Sequence, residues 1–362
     1  MATNLSQLRE RIDDIDARIV QLLNDRASVS IGIGSAKKEM GIISQPHIPK
    51  REQEVFARIE RLNHGPLPHE AVQAIYREIM SASISLQKET TIAYLGPRGS
   101  YSFQSAYEKF GDSLTFVEQP SITKVFQAVA SGAATYGLVP FENSSYGTVQ
   151  QTLDCFVAAL PEAQALIRGE TYLAVHHCLL SNSSRDKIKR IYSHPQALGQ
   201  CAKWLEANLP FAELVSVAST SRAAEMASRE SGSAAISNAM CADLFDINVV
   251  ERNIEDMQNN TTRFFIIGKA LDSPTGNDKT LLQFTVDHRK PGALCDALNV
   301  MKQRQINLTK IDSRPSGQRL WHYVFFVEFE GHAEDAKVKE AIKDLDSFCL
   351  DIRLLGSYMS LQ

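Results

Sequence analysis

The chain has 362 residues, of which 22% are charged, and its formal net charge at pH 7 is -4. This length favours two or three domains, and so weak a net charge argues against nucleic acid as a partner. No apolar run approaches the roughly 20 residues that a membrane-spanning helix needs, and the first residues lack the apolar core of a signal peptide, so we expect a cytoplasmic protein that does not bind membranes. The six cysteines are scattered without a CxxC pair, and we expect free thiols and neither a metal nor a cofactor.

Residues 1–90 carry helical periodicity alone. Apolar residues recur at spacings of three and four from Leu5 to Ala36, which predicts a very long first helix, and shorter helices are predicted over about 50–63 and up to about Lys88. Three helices of these lengths cannot readily bury the apolar side of the first helix by themselves, so we expect a partner chain to cover it.

Cations interrupt the apolar side of this first helix. Arg26 stands between Leu22 and Val29, and Lys37 follows 11 residues later, close to three full turns, on nearly the same face. A cation at a core position needs an anion, because an unpaired buried charge costs several kcal/mol. The spacing is compatible with two anionic partners: a small dicarboxylate ligand, or Glu52 of the second helix in a structural ion pair.

The segments LRERIDDIDARIVQLLNDR, GSAKKE, PKRE and SISLQ resemble the all-helical chorismate mutases, which are intertwined homodimers. The resemblance implies an all-α bundle that rearranges chorismate to prephenate through electrostatic contacts, without a covalent step. It implies that arginines hold the substrate carboxylates, that Lys37 and Gln87 donate to the ether oxygen, and that the first arginine reaches the partner's site. Ile48 stands where the family often has aspartate, which favours an alternative in which these helices mainly dimerise. The implied site residues are Arg9, Arg26, Lys37, Arg51, Glu52, Ser83 and Gln87.

Residues 91–270 alternate predicted strands and helices, which indicates an α/β fold. Polar clusters stand at the edges of three apolar strands, at 142–144, 193–200 and 259–263. Ligands bind at the carboxyl ends of strands in open α/β sheets, so these clusters are either parts of one site or separate caps. A faint echo between TKVFQAVASGAATYGLVP and TSRAAEMASRESGSAAIS favours two similar lobes with a cleft. The Gly-rich loop at 95–102 is either an anion-binding helix start or a plain turn.

The motifs ENS, SHPQ and TRF in these clusters resemble those of prephenate dehydratase over the whole of 91–270. The resemblance implies a two-lobed fold like that of type II periplasmic binding proteins, with a cleft where prephenate loses carbon dioxide and hydroxide to give phenylpyruvate. It implies that Thr262 donates to the departing hydroxyl and that Arg263 holds a substrate carboxylate bidentately. Glu142 is a competing general acid if burial raises its pKa. The implied catalytic residues are Thr262, Arg263, Asn143, Glu142, Ser193 and Gln200, and Ser144 and Phe264 are implied to bind substrate.

Residues 271–279 have the composition of a linker, and the predicted order βαββαβ over 280–362 is the ferredoxin-like α+β arrangement. The segments KPGALCDALNVM and INLTKIDSRP resemble the ACT domains that are fused to this dehydratase. The resemblance implies feedback inhibition by L-phenylalanine bound between two ACT domains, and the alternative is a bare dimerisation module. Aspartate at 312 replaces the glutamate of the family's motif. The implied effector-binding residues are Gly292, Ala293, Leu294, Asp312, Ser313 and Arg314.

The leading hypothesis is therefore a bifunctional enzyme of phenylalanine synthesis, with domains at 1–90, 91–270 and 280–362, acting as a homodimer or a tetramer on chorismate and prephenate. One alternative is a dehydratase whose helices serve only dimerisation, with prephenate or arogenate as substrate. Another is a two-lobed amino-acid sensor without activity. The presence of all three polar clusters argues against the sensor.

Overall fold

The computed structural model describes residues 5–40, 48–158, 165–317 and 321–361. Contacts divide the chain into two compact units. We call Met1–Thr91 with Phe110–Thr115 the helical unit, and Ile92–Lys109 with Phe116–Gln362 the sheet unit. No helix in these described ranges is long and apolar enough to cross a membrane.

The helical unit carries α1 (Leu5–Glu39), α2 (Pro49–Leu62) and α3 (His69–Gln87), as the periodicity predicts. Along α1 the single chain leaves the apolar side uncovered, with Ile12 57% and Leu22 65% exposed. An apolar stripe of this length is stabilised only when another element covers it, which is the situation predicted for a helix that packs against a partner chain.

Two α/β lobes make up the sheet unit as far as Gly268. The first lobe contains β1 (Thr91–Leu95), α4 (Tyr101–Phe110), β2 (Thr115–Gln119), α5 (Ile122–Ser131), β3 (Tyr136–Asn143), β4 (Gly147–Thr148), α6 (Gln150–Ala158), β5 (Leu166–Ala174) and β11 (Thr261–Gly268). The second lobe contains β6 (Cys178–Leu180), β7 (Arg190–Ser193), α7 (Pro195–Gln200), α8 (Ala202–Asn208), β8 (Glu213–Ser216), α9 (Thr220–Arg229), β9 (Ser233–Ser237), α10 (Met240–Phe245) and β10 (Val249–Glu251). The second lobe has its own sheet, in the order β10-β6-β9-β7-β8.

The faint sequence echo corresponds to α5–β3 in the first lobe and α9–β9 in the second. Each helix begins after a serine whose hydroxyl accepts a backbone N–H three residues on: Ser121 from Lys124 at 3.3 Å and Ser219 from Arg222 at 3.0 Å. Such N-caps satisfy one of the N–H groups that a helix start leaves without a partner. The two lobes therefore use the same local design.

The remaining residues form what we call the C-terminal module. It contains β12 (Asp278–Thr285), α11 (Ala293–Gln303), β13 (Leu308–Pro315), β14 (Tyr323–Glu330), α12 (Ala336–Asp346) and β15 (Asp351–Met359). This βαββαβ order confirms the ferredoxin-like prediction. The larger sheet runs in the order β13-β14-β12-β15-β5-β11-β3-β1-β2, so the module's strands continue the sheet of the first lobe.

Both faces of the module's sheet are buried. Leu282 and Val327 pack against the module's own helices, whereas Leu281 and Phe326 share a core with Phe141 of β3. Alternation of side chains along a strand explains how neighbouring residues enter different cores. The module is therefore packed onto the first lobe and is not merely tethered to it.

Candidate active site

A cavity of about 250 Å³ lies between the two lobes. Its walls come from the end of β3, the start of β11 and the starts of α4, α7 and α9. Residues 175–177, which lead from β5 in the first lobe to β6 in the second, complete them. None of the described residues that line it is Asp, Glu, Lys or Arg. The lining residues are Ser100, Tyr101, Ser102, Pro140, Asn143, Val175, His177, His194, Gln196, Ala197, Gln200, Ala218, Ser219, Thr220, Asn260, Thr262 and Phe264.

Thr262 and Asn143 form a hydrogen-bonded pair in the wall of the cavity. They are paired residues of neighbouring antiparallel strands, and Asn143 Nδ2 donates to Thr262 Oγ1 at 3.0 Å and to Asn260 Oδ1 at 2.7 Å. Asn143 Oδ1 accepts the backbone N–H groups of Ser145 and Tyr146. Because the Thr262 oxygen already accepts a bond, its hydroxyl hydrogen is left to donate to a bound molecule. Both amide hydrogens of Asn143 are engaged, so Asn143 orients Thr262 and does not itself donate to a ligand.

Two helix starts, rather than charged side chains of the described lining residues, place positive potential at the wall of the cavity. The helices α4 and α9, each of 10 residues, begin at the lining residues Tyr101 and Thr220. The first N–H groups of a helix have no partner within the helix, and the helix dipole places positive potential there. These starts lie in different lobes, so a molecule with two carboxylates can meet one from each side.

Gln200 lines the cavity as predicted, but its partners were not predicted. Its Oε1 lies 2.6 Å from Nε2 of His177, and Nδ1 of His177 lies 2.7 Å from the hydroxyl of Tyr101. His177 is 1% exposed, and burial lowers its pKa from the ordinary value. The available signal was the pair of histidines directly after an apolar strand, in LAVHHC, which repeats the pattern of the other clusters.

Arg263 does not line the cavity in this structure, and its contact with a substrate carboxylate stays a prediction. Thr262 and its second neighbour Phe264 line the cavity, whereas Arg263 points to the opposite face of β11. It is 7% exposed, its Nε donates to Glu170 at 2.8 Å, and its Nη1 donates to Glu328 of the C-terminal module at 3.2 Å. The carboxylates of Glu170 and Glu328 therefore neutralise this buried cation.

Glu142 also faces the C-terminal module. It is paired with Arg263 in the β3–β11 ladder, and its carboxylate accepts a bond from Lys310 Nζ of β13 at 2.7 Å. In this structure it is outside the cavity lining and bound to a cation, so its role as a general acid stays a prediction that the geometry does not favour.

Two serines of the predicted site hold the backbone instead. Ser193 is fully buried, and its hydroxyl donates to the carbonyl of Ile236 at 2.7 Å. The hydroxyl of Ser144 donates to the carbonyl of Asn259 at 3.1 Å. Neither lines the cavity in this structure, so the substrate contacts of both stay predictions, whereas Phe264 does line it.

In the helical unit, α1 and α3 bring together three of the predicted residues. Arg26 donates to the hydroxyl of Ser83, and Gln87 Nε2 donates to Ser30 Oγ at 2.8 Å. Arg9 is exposed, as expected of a residue that serves a partner's site, and the exposed Arg51 pairs with Glu54 at 2.9 Å. Lys37 and Glu52 are half-buried. The ion pair of Arg26 with Glu52 and the ligand site stay alternatives.

The predicted effector residues fall at two places in the C-terminal module. Gly292, with φ of 80°, precedes α11, whose first residues are Ala293 and Leu294. On β13, Asp312 accepts a bond from Thr148 at 2.9 Å, and Arg314 binds Asp154 at 2.6 Å and 2.8 Å. Asp312 and Arg314 thus contact the first lobe, whereas Ser313 between them is exposed.

Three family models match the chain in succession. Chorismate mutase type II matches residues 8–88, prephenate dehydratase matches 92–271, and the ACT domain matches 280–347.

Relatives of known name match nearly the whole chain. A bifunctional chorismate mutase/prephenate dehydratase of Aquifex aeolicus (strain VF5) is 42% identical over 98% of this chain and 97% of its own. The corresponding protein of Pseudomonas aeruginosa is 39% identical over the same shares. The crystal structure of prephenate dehydratase from Arthrobacter aurescens in complex with L-Phe is similar with a TM-score of 0.68 at 31% identity, covering 75% of this chain and 90% of that chain. The chain belongs to the family of bifunctional chorismate mutase/prephenate dehydratases.

Proposed function

We propose that this chain converts chorismate to prephenate in its helical unit and prephenate to phenylpyruvate in the cavity between its lobes. The pair of Thr262 and Asn143, aimed into a cavity with helix starts in both lobes, carries the second assignment. We further propose that L-phenylalanine, which the solved relative binds, is the effector of the C-terminal module.

In the dehydratase reaction two bonds break and the ring becomes aromatic. The electron pair of the bond to the departing carboxylate enters the ring, and the carbon–oxygen pair leaves with hydroxide. The hydroxyl of Thr262 donates to that oxygen as its negative charge grows, and the bond from Asn143 to Thr262 strengthens this donation. A hydrogen bond of this kind supports roughly 10²- to 10⁴-fold catalysis. Backbone N–H groups at α4 and α9 hold the carboxylates.

No carboxylic acid is needed in this mechanism. Glu142 is bound by Lys310 on the other side of β3, so hydroxide departure depends on neutral donors. Gln200 is the neutral donor of the second lobe, and Thr262 is that of the first.

For the mutase reaction, we propose a site around Arg26, Ser83 and Gln87 that a second copy of the chain completes. The exposed apolar side of α1 supports a homodimer, because a second α1 would cover it. Arg9 of that copy, and Lys37, Arg51 and Glu52, complete the predicted set. We propose the domain limits 1–90, 91–270 and 280–362, and a cytoplasmic enzyme.

The decisive experiment supplies chorismate and prephenate separately to the purified protein and measures prephenate and phenylpyruvate separately. Formation of both products from chorismate is expected. Consumption of prephenate without consumption of chorismate would leave the helices as a dimerisation module, the alternative that Ile48 favours. Arogenate, offered in place of prephenate, tests the substrate preference of the cavity.

A further inference from the structure

The two lobes are joined by two crossings of the chain, and these crossings are bonded to each other. Residues 175–177 lead from β5 to β6, and residues 252–260 lead from β10 to β11. The carboxylate of Glu255, which is 8% exposed, accepts the backbone N–H of His177 at 2.8 Å and lies 2.8 Å from Nδ1 of His176. The carbonyl of His177 accepts the N–H of Ile254 at 2.9 Å. The backbone of His177 is therefore fixed at the hinge between the lobes.

The imidazole of His177 contacts one group from each lobe. Tyr101 belongs to α4 of the first lobe, and Gln200 belongs to α7 of the second. Their distances of 2.7 Å to Nδ1 and 2.6 Å to Nε2 are those of hydrogen bonds. The Tyr101 ring also meets the imidazole edge-on, with centroids 5.6 Å apart and an interplanar angle of 81°.

The chemistry of the partners assigns the proton on this ring. An amide oxygen only accepts, so the contact with Gln200 Oε1 requires a proton on Nε2 of His177. In the neutral ring Nδ1 is then an acceptor, and the single hydrogen of the Tyr101 hydroxyl has two acceptors within reach, Nδ1 at 2.7 Å and the carbonyl oxygen of His176 at 2.9 Å. Burial lowers the pKa of His177, which favours this neutral form.

This arrangement determines how Gln200 faces the cavity. Its Oε1 is held by the imidazole, so its two amide hydrogens are turned away from His177. Its backbone carbonyl accepts the N–H of Asp256 at 2.7 Å, which ties α7 to the second crossing. Gln200 is thus fixed at both its backbone and its side chain.

We propose that His177 is a positioning residue of the dehydratase site. It acts through Gln200 and holds the two lobes in the arrangement in which the substrate reacts. This inference rests on the proposed function of the cavity. His177 does not transfer a proton in this role; it keeps the amide of Gln200 aimed at the substrate that Thr262 approaches from the other lobe.

The test uses the full chain with two substitutions of His177 whose side chains differ in length. Asparagine at 177 places its amide near the position of Nδ1 and cannot donate to Gln200, whereas glutamine places an N–H near the position of Nε2. We expect His177→Asn to lower kcat for phenylpyruvate formation by about 10²-fold, the cost of a misplaced catalytic group. His177→Gln should recover most of that loss. Chorismate turnover by the same preparations and thermal unfolding monitor the integrity of the protein.

The double variant separates positioning from general stabilisation. If His177 acts through Gln200, the variant His177→Asn/Gln200→Ala should be no slower than Gln200→Ala alone, because groups that act as a unit are not additive. If the two losses in kcat multiply in the double variant, the inference is overturned. It is also overturned if His177→Asn keeps the wild-type kcat while Gln200→Ala is slow. Wild-type kcat in both Gln200→Ala and Thr262→Val would instead overturn the proposed function of the cavity.

A measurement on the unsubstituted protein covers the case in which His177→Asn does not fold. In ¹⁵N NMR of histidine-labelled protein at neutral pH, with the signal assigned by its loss in His177→Gln, His177 should be the neutral ring protonated on Nε2. A proton on Nδ1 would overturn the inference, because Nε2 could not then donate to Gln200.

Discussion

At the scale of single residues, Thr262 and Arg263 show how two adjacent polar residues come to serve different surroundings. Thr262 faces the cavity, and Arg263 lies among Glu170, Glu328 and Tyr358 on the other face of the same strand. The Arg263 guanidinium also lies 5.0 Å from the centre of the Phe265 ring, within the range of a cation–π contact. Burial opposes ionisation of Glu328, but the bond from Arg263 outweighs it and lowers its pKa.

Thr262→Val should lower dehydratase kcat by at least about 10²-fold, because valine keeps the shape of the side chain and removes the donor. Chorismate mutase turnover should not change. Thr261→Val on the same strand is the matched control, since the Thr261 side chain does not line the cavity. Stopped assays of phenylpyruvate measure the effect, and unchanged turnover in Thr262→Val would remove this residue from the mechanism.

Arg263→Ala should destabilise the sheet unit by about 3–5 kcal/mol, because it leaves buried carboxylates without their cation. Denaturant unfolding measures the change, and Arg190→Ala, at an exposed ion pair, should barely alter the midpoint. The destabilisation should shrink as the pH falls into the acidic range, because burial without Arg263 raises the pKa of Glu328 and protonation of Glu328 then removes the unpaired charge. Unaltered stability together with a raised KM for prephenate would restore Arg263 to the substrate site.

His177 should make stability depend on pH just below neutrality. Its folded pKa is lowered below the ordinary value of 6.5, so the unfolded chain binds the proton more tightly. The contribution of neutral His177 is complete above about pH 6.5 and is lost as pH falls from there through the folded pKa. The melting temperature of the wild type should therefore fall more between pH 7.5 and pH 5.5, roughly, than that of His177→Gln. Equal losses in the two proteins would contradict this.

At the scale of elements, β11 is the strand that contacts both the cavity and the C-terminal module. One face of it presents Thr262 and Phe264 to the cavity, and the other presents Arg263 and Phe265 to the C-terminal module. In the helical unit, the corresponding element pair is α1 with α3, which brings Arg26 to Ser83. In both units, therefore, site residues distant in sequence meet only because two elements pack side by side.

Arg26→Ala should abolish chorismate mutase activity and leave dehydratase activity intact, because Arg26 belongs to the α1–α3 pair and not to the cavity between the lobes. Assays with each substrate separately measure this. Arg58→Ala, exposed on α2, is the control and should keep both activities. If the protein is a dimer as proposed, loss of that dimer in Arg26→Ala, seen by size-exclusion chromatography, would favour the structural ion pair with Glu52.

At the scale of the whole molecule, the packing of the C-terminal module changes how an effector should be tested. Leu281, Phe326 and Leu355 share a core with the first lobe, so the module in isolation would expose an apolar face. Contacts such as Arg263–Glu328 and Lys310–Glu142 link the module to the strands that carry Thr262 and Asn143. A change of structure in the module would therefore act on strands that also form the wall of the cavity.

L-phenylalanine should raise the melting temperature of the full chain, because a ligand that binds only the folded state stabilises it by about 2.7 kcal/mol at about 100 times Kd. Differential scanning calorimetry measures the shift, with D-phenylalanine as the control that tests stereospecific recognition. No shift at millimolar L-phenylalanine would argue against a sensor and for a bare dimerisation module.

Local patterns in the amino-acid sequence were enough to predict the three N-terminal helices, the alternation of strands and helices after them, and the βαββαβ order of the C-terminal module. Helical periodicity, strand length and capping serines depend on neighbours in the chain, which explains why these predictions hold. The motifs that indicated the family are likewise short stretches of neighbouring residues. The motif resemblance predicted site roles for Thr262, Asn143, Gln200 and Phe264, and all four line the cavity.

Only the tertiary structure decided which side of each strand meets the ligand. Side chains alternate, so a motif of adjacent residues such as Glu142-Asn143 or Thr262-Arg263 is divided between two faces, and the sequence does not state what covers each face. The C-terminal module covers one face and supplies Glu328 and Lys310, which bind Arg263 and Glu142 on the side away from the cavity. The segment LAVHHC marks His177 as a polar residue after an apolar strand, but only the tertiary structure shows that it contacts Tyr101 of one lobe and Gln200 of the other.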